Sequence, residues 1–356
     1  MTPTVAIDVR RATWRPEIGI SRYSTLLVRT MAAIAESSVH LERLDLVGGT
    51  PEPGTTQRVV GSGHHFARRL YQEQVSMALR SRHVDLMHLP WHEGPVRASC
   101  PLVVNVHDLD TLEAGRYSWR FRAYYNTLLR RYVHTARRII VPSEASLTAL
   151  RARWPEAPYV HIPYGVDRKA FAVARDPAAA PTVLYTGGYG HRKEVPTLLQ
   201  AFDDLHSRLP DVRLIVTGEP PADIARIIAS LRAHQAIEVT GIVPLARLIE
   251  LYSAAWVVAY PSALEGFGFP VLAAFAAGVP VVGAAGGSIP EIAGDAAILV
   301  PPGDQEALGE ALHRVLTDDQ IKERLEERGR ARAADFDWDS TARRTLDVYL
   351  DVISEA

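Results

Sequence analysis

The stretch Tyr260-Pro-Ser-Ala-Leu-Glu265-Gly266-Phe267-Gly268-Phe269-Pro270 joins an apolar run to a helical pattern, which Gly278-Val279-Pro280-Val281-Val282 closes. The apolar run before it predicts a strand. Pro270 suits the first position of a helix, and Gly278 suits the residue after a helix end. The glycines let backbone N–H groups approach a ligand without interference from side chains. A strand that enters a helix through such a turn is typical of an α/β fold with a parallel sheet.

The start of that helix is a candidate anion site. Its unsatisfied backbone donors and the helix dipole favour a phosphate group there. Glu265 precedes the helix and suits hydroxyl groups of the molecule that carries the phosphate better than the phosphate itself. The alternative is an ordinary strand-to-helix connection with Glu265 as an exposed cap.

Outward from this stretch, short apolar runs alternate with longer amphipathic ones, which is typical of a parallel sheet covered by helices. The predicted strands are residues 5–9, 44–47, 86–88, 102–106, 139–141, 159–162, 183–186, 214–217, 237–239, 256–259, 279–282 and 297–300. The predicted helices are residues 20–36, 65–81, 120–136, 143–153, 195–208, 222–234, 245–254, 270–277, 305–316 and 341–353.

The alternation breaks once, where Asp176-Pro177-Ala178-Ala179-Ala180-Pro181 indicates a linker over residues 167–181. We therefore expect two doubly wound, Rossmann-like domains, residues 1–166 and residues 182–335. Residues 336–356 form a last helix that can pack on either domain, the N-terminal one included. A ligand is expected at the carboxyl ends of the strands, in a cleft that the two domains face.

Composition limits the classes of function. The 356 residues are 47 % apolar and 22 % charged, which is typical of about two globular domains. The balance of 39 Lys and Arg against 41 Asp and Glu argues against bulk nucleic-acid binding. The single Cys100 excludes an internal disulfide and a cysteine-built metal site. With no signal-peptide pattern and no membrane-length apolar run, we expect a cytoplasmic protein.

A second phosphate candidate opens the second half of the chain. Tyr185-Thr-Gly187-Gly188-Tyr-Gly190-His191-Arg192-Lys193 follows one predicted strand and precedes a helix. Its three glycines and the cations Arg192 and Lys193 can cradle a diphosphate. Lys193 is one of only three lysines, with Lys169 and Lys322. The alternative is a glycine-rich turn with two solvated cations.

Two polar places stand out in the first half. Glu17-Ile18-Gly19-Ile20-Ser21-Arg22-Tyr23 lies between the first strand and the first long helix, where Gly19 suits close approach of a ligand. His107-Asp108 follows an apolar strand, where a polar pair needs partners. His107 is thus a candidate functional residue, and a structural histidine is the alternative.

Two weaker patterns concern metals and membranes. Triplets such as Asp108-Leu-Asp110 have the form that holds metal–nucleotide complexes, but they arise by chance among 41 acidic residues, so we expect no metal site. Residues 119–138 combine arginines with aromatic residues. This segment can touch an anionic membrane, which would place the protein at the inner membrane face, or a phosphorylated acceptor. A solvated surface helix is the alternative.

Together the motifs resemble those of the family 4 retaining glycosyltransferases of GT-B fold, and of mannosyl- and rhamnosyltransferases in particular. The resemblance covers nearly the whole chain. Its blocks are Gly19-Ile20-Ser21-Arg22-Tyr23, Val106-His107-Asp108-Leu109, Val141-Pro142-Ser143-Glu144, Ile162-Pro163-Tyr164-Gly165-Val166-Asp167, Gly187-Gly188 with Arg192-Lys193, Pro261-Ser262 with Glu265-Gly-Phe-Gly-Phe-Pro270, and Pro290-Glu291 with Gly294-Asp295-Ala296-Ala297.

The resemblance implies a role for particular residues. Arg192 and Lys193 would neutralise the diphosphate of a nucleotide-sugar donor, Glu265 would hold the donor sugar, and His107 would reach a sugar hydroxyl. The positions implied to bind the donor are Gly19, Gly187, Gly188, Phe267, Gly268, Phe269 and Ala273. The resemblance implies no metal or other cofactor, which fits two cations and a helix N-terminus that supply the electrostatic stabilisation of a metal.

The resemblance also implies the reaction. Such enzymes retain the anomeric configuration, and the leaving diphosphate helps to deprotonate the acceptor hydroxyl, so no protein nucleophile is required. The acceptor can be a glycan, a lipid-linked glycan or a small molecule. A non-catalytic protein that binds nucleotide sugars is the alternative, as is a related fold with phosphorylase or epimerase chemistry.

The sequence departs from the family pattern at two positions. The family usually has a second glutamate, which binds the donor ribose, where this chain has Ala273. Three explanations compete: a deoxyribose donor such as a dTDP-sugar, another residue that binds the ribose, or a weakened site. The first is slightly favoured, so a dTDP-sugar is preferred as the donor over GDP-mannose or a UDP-sugar. Many members also have an arginine near Gly188, which Arg192 would replace here.

Overall fold

The computed structural model describes residues 2–14, 19–35, 38–45, 53–60, 66–108, 119–172, 174–177 and 180–356. The chain divides into two compact units. Unit 1 comprises Met1–Gly165 with Trp338–Ala356, and unit 2 comprises Val166–Asp337.

Each unit contains a parallel sheet with helices. The strands of the described residues are β1 (Thr4–Asp8), β2 (His40–Asp45), β3 (Thr55–Val59), β4 (Leu86–Leu89), β5 (Leu102–Asn105), β6 (Arg138–Val141), β7 (Tyr159–His161), β8 (Thr182–Tyr185), β9 (Arg213–Val216), β10 (Ile237–Val239), β11 (Val257–Tyr260), β12 (Val281–Ala284) and β13 (Ile298–Val300). The α-helices of the same residues are α1 (Arg10–Trp14), α2 (Gly19–Ile34), α3 (Phe66–Tyr71), α4 (Met77–Arg80), α5 (Trp119–Thr135), α6 (Glu144–Arg153), α7 (Arg168–Phe171), α8 (Val195–Arg208), α9 (Ala222–Ser230), α10 (Leu245–Ala254), α11 (Phe269–Ala276), α12 (Ile289–Ala293), α13 (Gln305–Thr317), α14 (Asp319–Ala334) and α15 (Trp338–Ser354).

The two sheets share one strand order. In unit 1 the order is β3-β2-β1-β4-β5-β6-β7, and in unit 2 it is β10-β9-β8-β11-β12-β13. The paired strands run parallel, for example with Ile7 opposite Arg43 on one side and His88 on the other. In both sheets the order reverses direction at the first strand of the unit, which makes each a doubly wound, Rossmann-like sheet. The prediction of two such domains is confirmed.

Apolar burial explains why the central strands form. The side chains of β4, β5, β8, β11 and β12 are buried along their whole length, as expected of parallel strands covered on both faces. In unit 2, α8 and α13 pack together over this core. The edge strand β3, with the polar sequence Thr-Thr-Gln-Arg-Val, is largely exposed, so the apolar pattern did not predict it.

The predicted linker differs from the structure, whereas the predicted last helix agrees with it. Residues 167–181, predicted as a linker, belong to unit 2, where Arg175 donates hydrogen bonds to the carbonyls of Tyr252 and Ser253, both at 3.0 Å. The predicted last helix is α15, which lies with unit 1 and contacts α2. Among the described residues, no helix combines the length and the apolar character that crossing a membrane requires.

Candidate functional site

The candidate site of unit 2 lies where the strand order reverses. β8 and β11 are neighbours at that point, and each is followed by one of the two glycine-containing loops of the sequence. In open parallel sheets this switch point is where ligands bind, because the loops from the two central strands diverge there. Two loops 72 residues apart in sequence are thereby brought together.

The first of these loops, residues 186–194, has an unusual backbone. At Gly187 a Cβ atom would lie 2.5 Å from the hydroxyl of Tyr185, so a larger residue does not fit there. Gly188 has φ +74° with open space around it. After one short turn over His191–Lys193, Glu194 adopts φ 49°, the one positive φ of a non-glycine residue within the described part of the chain. Such a conformation costs free energy and is often found at functional sites.

Backbone hydrogen bonds join the first loop to the second. The carbonyl of Arg192 accepts from the N–H of Ala263 at 2.8 Å and from the hydroxyl of Ser262 at 3.1 Å. The Arg192 guanidinium donates to the carbonyl of Leu264 at 3.2 Å. Arg192 therefore fixes the position of the second loop as well as contributing charge.

Lys193 and Glu265 form a buried ion pair. The Lys193 ammonium contacts the Glu265 carboxylate directly and donates to the hydroxyl of Tyr260 at 3.2 Å. Their side chains are 12 % and 8 % exposed. Burial raises the pKa of the Glu265 carboxyl, but Lys193 and then Arg192 lower it by more, so the pKa lies below its ordinary value and the group is ionised. Both predicted charges are thus present, and they neutralise one another in part.

A third loop supports the second, and sequence reasoning missed it. The N–H of Ser288 donates to the carbonyl of Glu265 at 3.0 Å. A Cβ at Gly287, which has φ +55°, would lie 2.5 Å from the backbone N and O of Glu265, and one at Gly286 would lie 2.3 Å from the Ala263 carbonyl. The glycine pair between β12 and α12 was the signal that could have revealed this contact.

The remaining predicted donor-binding residues surround the start of α11. Gly268 precedes the helix with φ 104°, and a Cβ there would lie 2.8 Å from Ile289. Phe267 and Phe269 pack edge to face with ring centroids 5.2 Å apart. Ala273 is buried within the helix. Pro270 lies in its first turn, where its missing N–H leaves no donor unsatisfied.

Unit 1 has a cluster of charges at its own switch point, between β1 and β4. Arg10 and Asp8 form a two-pronged ion pair at 2.8 and 2.9 Å, and the Arg11 guanidinium contacts Glu93. Arg11 also lies 4.5 Å above the ring of Trp91. These residues lie in stretches without repeats or glycine patterns, so no sequence motif pointed to them.

His107 is buried among hydrogen-bond partners. Its Nε2 is 2.6 Å from the carbonyl of Pro90, and its Nδ1 is 2.8 Å from the hydroxyl of Tyr164. Burial lowers its pKa to about 3, so the ring is neutral. Both ring nitrogens are engaged within unit 1, and a sugar hydroxyl would have to replace one of these partners. The predicted contact with a sugar hydroxyl stays a prediction.

Two further predictions concern places at or beside residues that the structure does not describe, and a third concerns metals. Gly19 is the first residue of α2, and residues 15–18 and 109–118, with part of the Gly19 loop and Asp110, lie outside the described residues. Within the described ranges, no three His, Cys, Asp or Glu side chains form a group that could hold a metal ion.

The aromatic residues of the segment 119–138 point mainly inward. Tyr125 and Tyr132 of α5 are buried in the unit 1 core, whereas Trp119 at the start of the helix is 73 % exposed. The burial of Tyr125 and Tyr132 gives α5 one core-facing side, and the predicted contact of this segment with a membrane or a phosphorylated acceptor stays a prediction.

Two protein-family models match the chain. The model described as glycosyl transferases group 1 matches residues 167–332, and the model described as glycosyltransferase family 4 matches residues 24–170.

Relatives and solved structures agree with these models. The O-antigen chain mannosyltransferase B of Escherichia coli is 27 % identical over 94 % of this chain and 96 % of its own length. The MMP alpha-(1->4)-mannosyltransferase of Mycolicibacterium hassiacum is 29 % identical over 70 % of this chain and 65 % of its own. A sucrose-phosphate synthase structure from Thermosynechococcus elongatus aligns with TM-score 0.79 at 21 % identity, over 99 % of this chain and 100 % of that one. The Anabaena HepE structure with UDP and glucose aligns with TM-score 0.74 at 18 % identity, over 98 % and 99 %.

Proposed function

The chain belongs to the family 4 glycosyltransferases of GT-B fold, and we propose that it moves a sugar from a nucleotide-diphospho-sugar to an acceptor hydroxyl with retention of the anomeric configuration. The observation that carries this proposal is the buried Lys193–Glu265 pair beside Arg192, at the switch point of unit 2. It brings cations for a diphosphate and a carboxylate for sugar hydroxyls to one place.

The proposed reaction exchanges one bond for another. The acceptor oxygen bonds to the anomeric carbon on the face from which the diphosphate leaves, the anomeric C–O bond to the diphosphate breaks, and the acceptor proton goes to the leaving diphosphate. Lys193 and Arg192 stabilise the charge that develops on the leaving group, and the N–H groups at the start of α11 add to this. Glu265, ionised, accepts hydrogen bonds from the sugar and fixes its orientation.

Metal independence is part of the proposal. Lys193 and Arg192 bring two cations to the switch point of unit 2, which supports it. Transfer should therefore continue when a chelator is present, and loss of transfer on chelation with recovery on adding a divalent cation would contradict it.

The donor nucleotide follows from Ala273. A helix position that holds no hydrogen-bonding side chain offers nothing to ribose hydroxyls, and each lost charge-assisted bond costs roughly 1.5–3 kcal/mol. We therefore propose a dTDP-sugar, with GDP-mannose, as the mannosyltransferase relatives suggest, and a UDP-sugar as competitors. The acceptor is a glycan, a lipid-linked glycan or a small molecule.

One experiment tests transfer itself. Protein incubated with dTDP-, GDP- and UDP-sugars should release nucleotide diphosphate only when an acceptor is present. Lys193→Ala should abolish this release, while Lys169→Ala, an exposed lysine on α7, should not change it. Circular dichroism establishes that both variants are folded. Full turnover by folded Lys193→Ala would refute the mechanism. Tight donor binding without any release of nucleotide diphosphate would identify the protein as a non-catalytic nucleotide-sugar binder. This is the second candidate function, and Ala273 favours it.

The nucleotide preference has its own readout. A ligand that binds the folded state raises the melting temperature in proportion to the logarithm of its concentration over Kd. At equal concentrations dTDP should stabilise the wild type more than UDP or GDP. Ala273→Glu should reverse the order in favour of a ribonucleotide, and a wild type that prefers a ribonucleotide would show that the Ala273 argument is wrong.

A membrane contact is proposed for unit 1, on a surface next to α5. From Phe66 to Arg80 the chain is helical, with a wide turn over Gln72–Ser76 between α3 and α4. Tyr71, Val75 and Leu79, spaced four residues apart, are exposed at 60, 37 and 51 %. Nearby exposed side chains include Arg58, Arg68 and Arg82. Apolar groups flanked by arginines fit an anionic lipid bilayer.

Sedimentation with vesicles tests this contact. Binding is expected to vesicles of phosphatidylcholine with phosphatidylglycerol and not to phosphatidylcholine alone. The double variant Tyr71→Ser/Leu79→Ser should abolish it, and Trp119→Ser should not. Loss with Trp119→Ser alone would move the contact to α5, and no binding by the wild type would refute it.

A further inference from the structure

A continuous chain of buried polar side chains runs through unit 1 from the last helix to His107. Tyr349 of α15 contacts Nδ1 of His88, and Nε2 of His88 contacts the amide oxygen of Asn105. The Asn105 amide nitrogen reaches the hydroxyls of Tyr23 at 2.8 Å and Tyr164 at 3.1 Å. Tyr164 in turn contacts His107. All of these side chains are buried.

The direction of every hydrogen bond in this chain follows from its far end. The Pro90 carbonyl can only accept, so Nε2 of His107 carries the hydrogen that it receives. In the neutral ring Nδ1 must then accept, and among the described residues the Tyr164 hydroxyl, 2.8 Å away, donates to it. Tyr164 has used its one hydrogen, so it accepts from the Asn105 amide nitrogen.

The same logic continues to α15. With its amide nitrogen on the two tyrosines, Asn105 presents its oxygen to His88, which must donate from Nε2. Nδ1 of His88 then accepts from Tyr349. The opposite orientation of the amide would draw the Tyr164 hydrogen to Asn105 and leave His107 Nδ1 without a donor.

The charge states of His107 and His88 agree with these hydrogen-bond directions. Burial lowers the pKa of His107 to about 3 and that of His88 to about 4, so both rings are neutral at pH 7, as a chain with one direction requires. His92 and Arg11, which also face His107, lower its pKa further.

We propose that Tyr164 and Asn105 are positioning residues that hold His107 as an uncharged ring with its hydrogen on Nε2. Through that hydrogen the ring holds the Pro90 carbonyl and so fixes the loop after β4 for sugar transfer, and it takes no part as an acid or base. This inference rests on the proposed function for its effect on transfer. The form of the ring itself does not depend on that function.

The position of the ring has a structural consequence. His107 stacks on Trp91 with centroids 5.3 Å apart, and its Nε2 holds the carbonyl of the preceding Pro90. Trp91 lies under the Arg11 guanidinium, which contacts Glu93. Fixing the ring therefore also fixes the loop that follows β4 at the switch point of unit 1.

Nuclear magnetic resonance of the histidine ring nitrogens tests the ring form in the whole protein. The His107 signal is identified by its loss in His107→Gln. We expect a neutral ring with hydrogen on Nε2 from pH 5 to pH 8. Hydrogen on Nδ1, or protonation within this range, would overturn the proposal whether or not the protein transfers a sugar.

Two variants test the positioning residues. Asn105→Asp has the same shape but can only accept, so the Tyr164 hydrogen moves to the carboxylate and His107 should take up a proton on Nδ1 at pH 6. Tyr164→Phe keeps the ring that packs 4.1 Å from Tyr23 but removes the donor to Nδ1, and the Nδ1 signal should shift. An unchanged His107 signal in either variant would overturn the assignment.

Kinetics separate positioning from simple stability. Tyr164→Phe should lower kcat about tenfold with a change in donor KM below about twofold, because a displaced ring affects the transition state more than donor binding. The matched control is Tyr159→Phe, whose hydroxyl donates to the Leu150 carbonyl at 3.3 Å outside the chain of contacts, and it should leave the His107 signal and kcat unchanged. An unchanged kcat in Tyr164→Phe, beside an active wild type, would overturn the role in transfer. Absence of transfer by the wild type would refute the proposed function alone.

Discussion

The two units place different chemistry on the same strand order. At the switch point of unit 2, opposite charges from two loops meet in the Lys193–Glu265 pair. In unit 1, the side chains leading to His107 are neutral and joined by hydrogen bonds of one direction. The charged groups of unit 2 can exchange their partners for the groups of a charged ligand, whereas the neutral, hydrogen-bonded side chains of unit 1 hold one geometry. The comparison suggests that unit 2 supplies electrostatic stabilisation and unit 1 supplies positioning.

The difference also appears in how each site tolerates change. Removing one partner of a buried ion pair leaves an uncompensated charge, which costs more than leaving one neutral hydrogen-bonding group unpaired. Three predictions follow this contrast, from the largest effect to the smallest.

The largest effect is expected in unit 2. Lys193→Met should lower the free energy of unfolding by about 3–5 kcal/mol, because Glu265 is left buried without its cation. The double variant Lys193→Met/Glu265→Leu should recover most of that loss. Denaturation by urea measures both, and a double variant no more stable than the single one would show that the pair is not buried as a unit.

A smaller effect is expected where the third loop supports Glu265. Gly287→Ala should lower the free energy of unfolding by about 1–2 kcal/mol, because alanine disfavours the positive φ. A further loss of about 1–3 kcal/mol is expected because the new Cβ lies close to the Glu265 backbone. Gly303→Ala has φ +77° but open space around it, so it should show the first cost alone. Equal melting temperatures for the two variants would show that the loop moves freely away from Glu265.

The smallest effect is a pH dependence that separates the units. The pKa of His88 and of His92 is lowered to about 4 and that of His107 to about 3, all mainly by burial, so these rings bind protons in the unfolded chain at higher pH than in the folded one. Stability is therefore full above about pH 6.5 and falls with pH, by about 0.8 kcal/mol per histidine at pH 6. Glu265, whose pKa is lowered, contributes stability that is lost only at pH below its ordinary value of 4.5.

Hydrogen exchange measured separately for the two units checks this order. Between pH 7 and pH 5.5, amides of β4 and β5 should lose protection before those of β8 and β11. Simultaneous loss in both units would contradict the assignment of the neutral histidines to unit 1.

Much of the unit 2 site was predictable from the sequence, because its chemistry is written in contiguous loops. Glycine positions, Pro270 and the adjacent cations Arg192 and Lys193 predict a strand, a turn and a helix start without knowledge of the fold. The pair Gly286-Gly287 signals a close backbone approach, but that Glu265 is the partner depends on how the two loops meet in the fold. In unit 1 the sequence pointed to the Gly19 loop and to His107, but not to the partners of His107, because these are scattered along the chain.

Local sequence patterns predict some elements of the fold and miss others. Local patterns predicted the central strands, whose residues are apolar throughout, but not the edge strand β3, whose polar side chains are largely exposed. The linker prediction over residues 167–181 rested on proline and alanine content, and it did not anticipate that Arg175 would bond to unit 2.

The sequence by itself determined the two Rossmann-like halves, the family and the loops that carry glycine and charge, because these depend on residues close together in the chain. Only the tertiary structure decided which side chains are partners. Lys193 meets Glu265 across 72 positions, and His88 meets Tyr349 across 261, because parallel strands and a returning last helix bring distant residues to one place. The ionisation of Glu265 and the neutral form of His107 follow from those partners and from burial.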